Sequence, residues 1–412
     1  MRVIHLNHSD INGGAAIAAY RIHESLLQAG IESKMHVDIS NSGDFTVEGP
    51  STKLGKAYSI LRSNLGSSIF RPFFKTSNPI AHSPSILPSF RINDLNNSNA
   101  DILHLHWIQS EMLSIAEIGS LRKNVIWTLH DMWAFCGAEH LSWDNRWRDG
   151  YLRNNRPNHE VGFDLNRWTW ERKLKHWRNP LHIITPSNWL ANCVRESKLM
   201  RDWPIGVIPN CINTDKWSPF DQRVSRILLG LPEDVPLLLF GSYGANSFPH
   251  KGFDLLLDAL KHLKDDSRYK DTELVIFGQR QPKILPDLGF RIHYTGHLHD
   301  EISMRLLYCA VDVMAIPSRQ DNLPNTGLEA QACGTPVVAF AIGGLTDIVS
   351  HNLTGYLAKP FDTISLANGI AYVISQRNTN RLRNFSRQRA IDLFSMAKVS
   401  EAYHNVYTQI LK

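Results

Sequence analysis

Short apolar runs alternate with longer amphipathic stretches along the first half of the chain. The runs are rich in β-branched residues and occupy 3–6, 35–37, 102–106, 125–129, 182–185 and 207–208. Between the first two runs, the alanine-rich stretch 15–29 follows Gly13-Gly14 and stops at Gly30, as a helix does. Apolar runs alternating with helices are typical of parallel strands joined by crossover helices. The pattern therefore predicts a Rossmann-like, doubly wound α/β domain over residues 1–208.

A turn-rich segment at 209–219 interrupts this pattern and resembles an interdomain connection. The pattern then restarts, with apolar runs near 237–240, 274–277, 292–294, 313–316 and 337–340. We predict a second doubly wound domain over 209–391, and we expect a final helix, about 392–412, to pack back on the first domain. Ligands bind such domains at the carboxyl ends of the strands, which would place the site in a cleft between two facing domains.

Composition agrees with a two-domain globular protein. The chain has 412 residues, of which 43% are hydrophobic and 20% charged. Its five cysteines are scattered and odd in number, which indicates reduced thiols in a cytoplasmic compartment and no structural zinc. The N-terminus turns polar too soon for a signal peptide, and no apolar run approaches the roughly 20 residues that span a bilayer. We therefore expect a cytoplasmic protein.

The net charge of +5 is unevenly distributed. Residues 49–93 contain no Asp or Glu, yet they carry several Lys and Arg interleaved with Ile, Leu and Phe. Basic segments with apolar anchors are typical of peripheral proteins on anionic membranes, here the cytoplasmic face of an inner membrane. A solvated helix and loop is an equally good interpretation. Nucleic acid is not expected as a partner, because no binding motif accompanies the charge.

The segment 315–339 carries the most specific chemistry. A buried strand is predicted to end at Pro317, and a short helix to begin near Asn325 or Thr326, both suitable N-caps, and to stop at Gly334. The amides at that helix start suit a diphosphate. Asp321 before the helix and Glu329 inside it are placed to accept hydrogen bonds from sugar hydroxyls. Taken singly, Asp321 is better explained as a turn former and Glu329 as a surface helix residue.

A second element joins a strand near 237–240 to a glycine-containing loop, with Lys251-Gly252 just before an amphipathic helix. A lysine at that point can neutralise the charge that builds on a departing diphosphate. The alternative is an exposed lysine at a helix start, which the helix dipole mildly disfavours.

Two loops of the first domain are further candidates. Gly13 and Gly14 follow the first strand and permit close approach to a phosphate or sugar, although turn formation alone also explains them. They do not form a dinucleotide fingerprint. A lone histidine is more often structural than functional, but His130 lies just beyond the carboxyl end of a strand, which makes it a candidate site residue. His104 and His106 share one face of a strand; without an identifiable third ligand we interpret them as core or cleft lining and not as a metal pair.

The segment from Asp321 through Glu329 to 333–339 resembles the signature of retaining GT-B glycosyltransferases, the glycosyl transferases group 1 family. The resemblance implies that Asp321 contacts the donor sugar and Glu329 the nucleotide ribose. Lys251-Gly252 matches a family Lys-Gly pair, whereas Ser242 stands where the family has Arg and His250 is a partial substitute. The catalytic residues implied are His130, Lys251 and Asp321. The donor-binding residues implied are Gly13, Gly14, Ser242, His250, Lys251, Asp321, Asn322, Leu323, Asn325, Thr326 and Glu329.

On the acceptor side we expect Asp131, Trp133 and His106. The segment 143–178 holds five of the 11 tryptophans. This aromatic and basic stretch suits sugar stacking or a membrane-surface acceptor, and core packing explains it equally well.

The resemblance implies transfer of a hexose, with retention, from a UDP- or GDP-sugar to a saccharide or lipid-linked saccharide of a bacterial surface polysaccharide such as lipopolysaccharide. No cofactor or metal is expected, because the chain contains no Asp-x-Asp sequence to hold a divalent ion on the diphosphate. Two alternatives remain: a sugar-nucleotide 2-epimerase of the same fold, and a non-catalytic sugar-nucleotide-binding scaffold.

Overall fold

The structure is a computed structural model that describes residues 1–241, 249–264, 266–282, 289–298 and 300–412. These residues form two compact units. The first comprises Met1–Asn210 and Val399–Lys412, and the second comprises Cys211–Lys398. The division after Asn210 lies two residues beyond the boundary expected from the turn-rich segment.

The first unit is built on a parallel sheet. Its strands are β1 (Arg2–Ser9), β2 (Glu32–Ile39), β3 (Val47–Glu48), β4 (Phe74–Lys75), β5 (Ile102–Leu105), β6 (Asn124–Thr128), β7 (Val161–Gly162), β8 (His182–Thr185) and β9 (Ile205–Val207). Among the described residues, seven of these strands form one sheet in the order β3-β2-β1-β5-β6-β8-β9. All its neighbouring strands are parallel, whereas β4 and β7 form a separate antiparallel pair.

Helices cover this sheet, and its two faces differ in chemistry. The helices are α1 (Gly14–Gln28), α2 (Lys53–Ile69), α3 (Ile92–Asn97), α4 (Ile115–Ile118), α5 (Arg146–Asp149), α6 (Leu165–His176) and α7 (Asn188–Glu196). Leu6, Leu103 and Trp127 enter the main apolar core. Because side chains alternate along a strand, the intervening His5, His104 and Thr128 lie on the opposite face. That face carries an unusual set of buried polar groups.

The second unit repeats the architecture. Its strands are β10 (Leu237–Gly241), β11 (Glu273–Phe277), β12 (Ile292–Gly296), β13 (Val313–Ile316), β14 (Val337–Phe340) and β15 (Gly355–Ala358). They form a parallel sheet in the order β12-β11-β10-β13-β14-β15. Leu239 and Met314 enter one apolar core, and their neighbours Leu238 and Val313 enter another. Burial of both faces is what a doubly wound parallel sheet requires.

The remaining helices surround this second sheet and end the chain. They are α8 (Gln222–Leu228), α9 (Phe253–Lys264), α10 (Glu301–Ala310), α11 (Asn325–Ala332), α12 (Leu345–Ile348), α13 (Thr363–Ser375), α14 (Arg381–Phe394) and α15 (Met396–Leu411), with short 3-10 turns at Pro249–Lys251 and Arg377–Thr379. From Val399 onward α15 belongs to the first unit, where Tyr403 and Tyr407 are fully buried. No helix within the described ranges is both long and apolar enough to cross a bilayer.

Both sheets reverse their strand order at one point. In the first sheet the reversal lies between β1 and β5, and in the second between β10 and β13. Crossover connections leave in opposite directions at such a switch point, which opens a crevice at the carboxyl ends of the two strands. The loops that follow these four strands are therefore the first place to look for ligand-binding groups.

Candidate functional site

The switch point of the second sheet brings Lys251 and Asp321 together. Lys251 follows β10 and precedes α9, whereas Asp321 lies in the loop after β13. The Lys251 ammonium lies 2.7 Å from a carboxylate oxygen of Asp321, which also accepts a hydrogen bond from the Ser318 hydroxyl at 3.0 Å. The lysine side chain is 31% exposed and the aspartate side chain 13%. The pair is therefore ordered but still accessible to a charged ligand.

Two glycines allow this close approach. Gly252 has φ +68°, and a Cβ atom there would lie 1.9 Å from the carbonyl oxygen of Pro317, at the exit of β13. Gly343 has φ +54°, and a Cβ atom there would lie 2.3 Å from the carbonyl oxygen of Asp321. Both positions combine a left-handed backbone with a contact that only hydrogen can fill. Glycine is therefore required after Lys251 for steric reasons, because the chain at residue 252 passes against the Pro317 carbonyl.

The loop after β13 is also tied to the turn that carries Lys251. The amide of Arg319 donates to the carbonyl of His250 at 2.7 Å, and the Arg319 guanidinium holds both carboxylate oxygens of Asp254 at 2.7 and 2.5 Å. Burial lowers the pKa of His250, and the neighbouring Lys251 lowers that pKa further, against the effect of Asp321. The imidazole is therefore neutral near pH 7. Ser242, predicted to replace the family arginine, lies outside the described residues.

The helix that follows Asp321 begins where the sequence predicts, but its N-cap residue differs from the prediction. Asn325 is the first residue of α11 and Pro324 occupies the N-cap position, without a side-chain capping bond. The sequence suggests Asn325 or Thr326 as caps, but both lie inside the helix. The helix does not extend further toward the N-terminus, because a proline disfavours helical backbone at the residue before it. Gly334, with φ +79°, follows the C-cap as predicted. Asn325 and Thr326 are partly exposed at the amino end of α11, where the helix dipole favours an anion.

Glu329 is not a surface helix residue. It is 6% exposed, and one carboxylate oxygen accepts a hydrogen bond from the Tyr308 hydroxyl at 2.9 Å. Tyr308, on α10, was not predicted from the sequence. Asn322 and Leu323 are also buried, and Leu323 belongs to an apolar core of the second unit. Leu323 can therefore present only its backbone to a ligand.

At the switch point of the first sheet, Gly13 and Gly14 begin α1. Gly13 is the N-cap with φ 96°, and neither glycine has an atom within 4 Å of where a Cβ would be. Buried Asp10 ties this loop to the segment after β2, because its carboxylate accepts hydrogen bonds from the amides of Ile11, Asn41 and Ser42. The two exposed glycines therefore form an open, well-supported surface over the helix start.

Three histidines from β1 and the ends of β5 and β6 form a hydrogen-bonded row. His5 Nδ1 lies 2.9 Å from His106 Nε2, and His106 Nδ1 lies 3.2 Å from His130 Nε2. His5 and His106 are fully buried, whereas His130 is partly exposed. Burial lowers the pKa of His130 to about 4 and holds the pKa values of His5 and His106 well below 6.5. The three rings are therefore neutral at pH 7, and each hydrogen bond joins one N–H to one unprotonated nitrogen, so the tautomers of the three rings depend on one another.

His104 belongs to the same cluster. The sequence shows no third metal ligand beside His104 and His106, and this expectation is wrong: ring nitrogens of His5, His104 and His106 all lie within 4.8 Å of one another. His5 pairs with His104 across β1 and β5, a register that the sequence does not show. His104 bonds Tyr407 and Thr128, each at 2.7 Å, so hydrogen bonds within the unit explain its position. We therefore keep the interpretation of His104 as a core residue.

The two other acceptor-side candidates occupy different environments. Asp131 is partly exposed and accepts hydrogen bonds from His140 at 2.6 Å and from the Trp107 indole at 2.9 Å. Burial would raise the pKa of Asp131, but His140 and these hydrogen bonds lower it overall. Trp133 is fully buried, and its ring lies 3.8 Å from the Lys173 ammonium. Trp133 thus belongs to the core, contrary to its predicted place at an acceptor surface.

Comparison with known protein families shows which family this chain belongs to. A model described as "Glycosyltransferase Family 4" matches residues 12–216, and one described as "Glycosyl transferases group 1" matches residues 236–376. The two matches cover most of the chain and contain the Gly13-Gly14 loop, His130, the Lys251–Asp321 pair and Glu329. The chain belongs to the group 1 glycosyltransferases. The family resemblance inferred from residues 321–339 is therefore confirmed.

A curated relative matches part of the chain. D-inositol 3-phosphate glycosyltransferase from Xylanimonas cellulosilytica is 30% identical over 224 residues, covering 50% of this chain and 52% of the relative. The chain spans about half the length of the curated relatives it matches.

Solved structures match the whole length. Sucrose-phosphate synthase from Thermosynechococcus elongatus has a TM-score of 0.67 at 18% identity, covering 100% of this chain and 99% of that chain. Anabaena HepE in complex with UDP-glucose has a TM-score of 0.66 at 15% identity, covering 99% of this chain and all of the other. This group 1 glycosyltransferase therefore has the predicted GT-B fold.

Proposed function

We propose that this protein transfers a sugar from a nucleotide-diphosphate sugar to a saccharide acceptor, with retention of anomeric configuration. The observation that carries the proposal is the Lys251–Asp321 pair, held at the switch point of the second sheet immediately before α11. The pair lies within the segment that matches the group 1 family model.

The charges of this site suit a diphosphate. Negative charge builds on the diphosphate as its bond to the sugar breaks, so a nearby positive charge stabilises the transition state more than the ground state. Lys251 supplies such a charge as a partly exposed ammonium. The first amides of α11 supply hydrogen-bond donors and the positive end of a helix dipole. Asp321 would then exchange part of its contact with Lys251 for a sugar hydroxyl. Glu329, oriented by Tyr308, would accept from the ribose hydroxyls.

The proposed reaction breaks the bond between the anomeric carbon and the diphosphate oxygen. The acceptor oxygen forms its bond on the same face of the sugar, and its proton passes to the departing diphosphate oxygen. In this scheme Lys251 stabilises the leaving group and His130 contributes a neutral imidazole to the transferred sugar. We propose that no divalent ion is needed, since Lys251 and α11 supply the positive charge; unchanged activity in a chelator supports this, and collapse contradicts it.

We propose a UDP- or GDP-sugar as donor, and a UDP-linked hexose is the first to test because the HepE structures contain UDP, glucose or UDP-glucose. For the acceptor we propose a lipid-linked oligosaccharide of bacterial surface polysaccharide synthesis, on the cytoplasmic side of the inner membrane. This proposal rests on the family and on the basic segment 49–93.

The test combines donor binding with product analysis. Nucleotide sugars are screened by thermal shift, because a ligand that binds only the folded protein raises the melting temperature; at 100 times Kd the stabilisation is about 2.7 kcal/mol. The stabilising donor is then incubated with and without saccharide acceptors. A new glycoside with the donor's anomeric configuration supports the proposal. Conversion of the donor without an acceptor indicates an epimerase, and binding without turnover indicates a scaffold.

A further inference from the structure

Helix α2 (Lys53–Ile69) is turned with its polar side inward. Of its residues whose burial the structure describes, those it buries are Ser59, Arg62 and Gly66. The residues it exposes include Leu54 at 84%, Leu61 at 56% and other large apolar side chains. A helix on the surface of a globular unit normally buries the apolar side and exposes the polar one.

The buried contacts fix this orientation. The Arg62 guanidinium lies 3.0 Å from Asp38, and both side chains are at most 2% exposed. Gly66 packs against Glu111 so closely that a Cβ atom would lie 2.1 Å from the Glu111 side chain. Rotating α2 to bury its leucines would separate a buried ion pair, which is strongly unfavourable. The apolar side is therefore held in solvent by the rest of the unit.

The exposed side chains form a continuous stripe. We define the α2 stripe as Leu54, Tyr58, Leu61, Leu65 and Ile69, which are all between 40% and 84% exposed. Their spacing of three or four residues puts them on one side of the helix.

An aromatic ring outside the helix extends the α2 stripe. Phe90 is 74% exposed, and its ring centroid lies 6.1 Å from that of Tyr58. Its φ of 62° is unusual for a bulky residue, and the Glu117 carboxylate holds this loop by accepting the amides of Ser89 and Phe90. The loop therefore uses a strained backbone to present an aromatic ring in water.

The charged residues of the segment that carries the α2 stripe are all basic. Lys53, Lys56, Arg71 and Lys75 are exposed, and residues 49–93 contain no Asp or Glu. Three carboxylates from elsewhere contact this segment, and each is already hydrogen-bonded or ion-paired: Asp38 pairs with Arg62 and Arg91, Glu111 accepts from the amides of Ile86 and Leu87, and Glu117 accepts from the amides of Ser89 and Phe90. The surface thus combines apolar anchors with uncompensated positive charge.

We propose that the α2 stripe and Phe90 dock on an anionic lipid bilayer, with the apolar side chains in the interface and the lysines against the headgroups. Apolar anchors with flanking lysines match such a surface in both chemistry and charge. A second copy of the chain matches it less well, because two copies of 49–93 would meet with like charges and no carboxylate. The proposal deepens the membrane location proposed above by naming the surface that binds lipid, and its test does not depend on the transfer reaction.

Vesicle co-sedimentation tests the proposal on the full chain. The probes are vesicles of phosphatidylcholine alone and of equimolar phosphatidylcholine and phosphatidylglycerol. The protein is expected to bind the anionic vesicles at least tenfold more tightly, and added salt should weaken that binding. Leu54→Ser with Leu61→Ser, and separately Lys53→Glu with Lys56→Glu, should each reduce binding at least tenfold.

Matched variants distinguish the surface from general effects of polarity or charge. Ile302 and Ile364 of the second unit are 73% and 56% exposed, so Ile302→Ser with Ile364→Ser is the control for the leucine pair. Lys198→Glu with Lys359→Glu is the control for the lysine pair. Equal binding to neutral vesicles, or equal loss in the controls, overturns the proposal. Lipid-independent dimers that Leu54→Ser with Leu61→Ser abolishes would also overturn it and assign the surface to a second copy.

Discussion

At the residue scale, the proposed function depends on how Lys251 is held. Its ammonium contacts Asp321 at 2.7 Å without being buried, so a diphosphate can reach it from solvent. An exposed ion pair contributes little to stability, because solvent screens it and both side chains lose freedom. Under the proposed function, the pair is a prepared binding site in which Asp321 orients the ammonium until the donor binds.

Replacing this lysine should affect turnover far more than folding. We expect Lys251→Ala to lower kcat about 100-fold, or about 3 kcal/mol of transition-state stabilisation, because the leaving diphosphate loses its cation. Melting temperature should hardly change. The control is Lys261→Ala, which also removes an ammonium 2.8 Å from a carboxylate, that of Asp258, but on the solvent-facing side of α9. Equal kcat in the two variants would show that Lys251 does not stabilise the leaving diphosphate.

Sequence reasoning identified Lys251 and Asp321 because each follows a recognisable strand end. It did not identify Tyr308 as the partner of Glu329, since that contact depends on how α10 packs against α11. It also missed His5, whose place beside His104 depends on strand register. The sequence therefore indicates which candidate residues follow strand ends, but it does not indicate which side chains from different elements come into contact.

At the element scale, tight turns position the strand-end loops. Gly252→Ala should destabilise the second unit by about 3 kcal/mol or more, because it adds a Cβ against the Pro317 carbonyl in a left-handed turn. Gly230→Ala is the control: Gly230 has φ +64° but no atom within 4 Å of a Cβ, so only the backbone cost of about 1 kcal/mol applies. Denaturant unfolding measures both. Equal destabilisation would mean that the close contact at Gly252 relaxes freely.

Helix α2 illustrates what pattern alone misses at this scale. The mixture of basic and apolar residues in 49–93 was visible in the sequence, but it left a solvated helix and a membrane surface equally plausible. The side that α2 buries is decided by the Arg62–Asp38 ion pair, whose members are 24 residues apart. Hydrophobic periodicity would have buried the leucines instead.

At the scale of the whole molecule, the alternation of strands and helices predicted both sheets. The sequence missed short or edge strands such as β3 and β15, where few residues carry the apolar signal. It also placed the predicted strands 35–37 and 207–208 inside or beside the observed β2 and β9. Strand existence followed from composition, but strand ends depended on pairing with neighbours.

The buried histidines make stability of the first unit depend on pH. Burial lowers the pKa of His104 from 6.5 to about 3 and that of His23 to about 4. The unfolded chain therefore binds more protons, and the free energy of unfolding should fall as pH drops below 6.5. Between pH 7 and pH 5 each such histidine should account for about 2 kcal/mol.

Tryptophan fluorescence can follow this unit, since ten of the 11 tryptophans lie in it. His104→Gln should reduce the loss of stability between pH 7 and pH 5, whereas His159→Gln, at an exposed position, should not. An identical pH dependence in His104→Gln and the unmodified protein would show that this histidine does not carry the effect.

The most direct test of the central claim is a crystal structure of the complex with UDP-glucose or GDP-mannose, whichever raises the melting temperature more. We predict diphosphate oxygens about 3 Å from the Lys251 ammonium and from the first amides of α11, with the sugar against Asp321. A diphosphate bound away from the ends of β10 and β13, with Lys251 still engaged only by Asp321, would contradict the account.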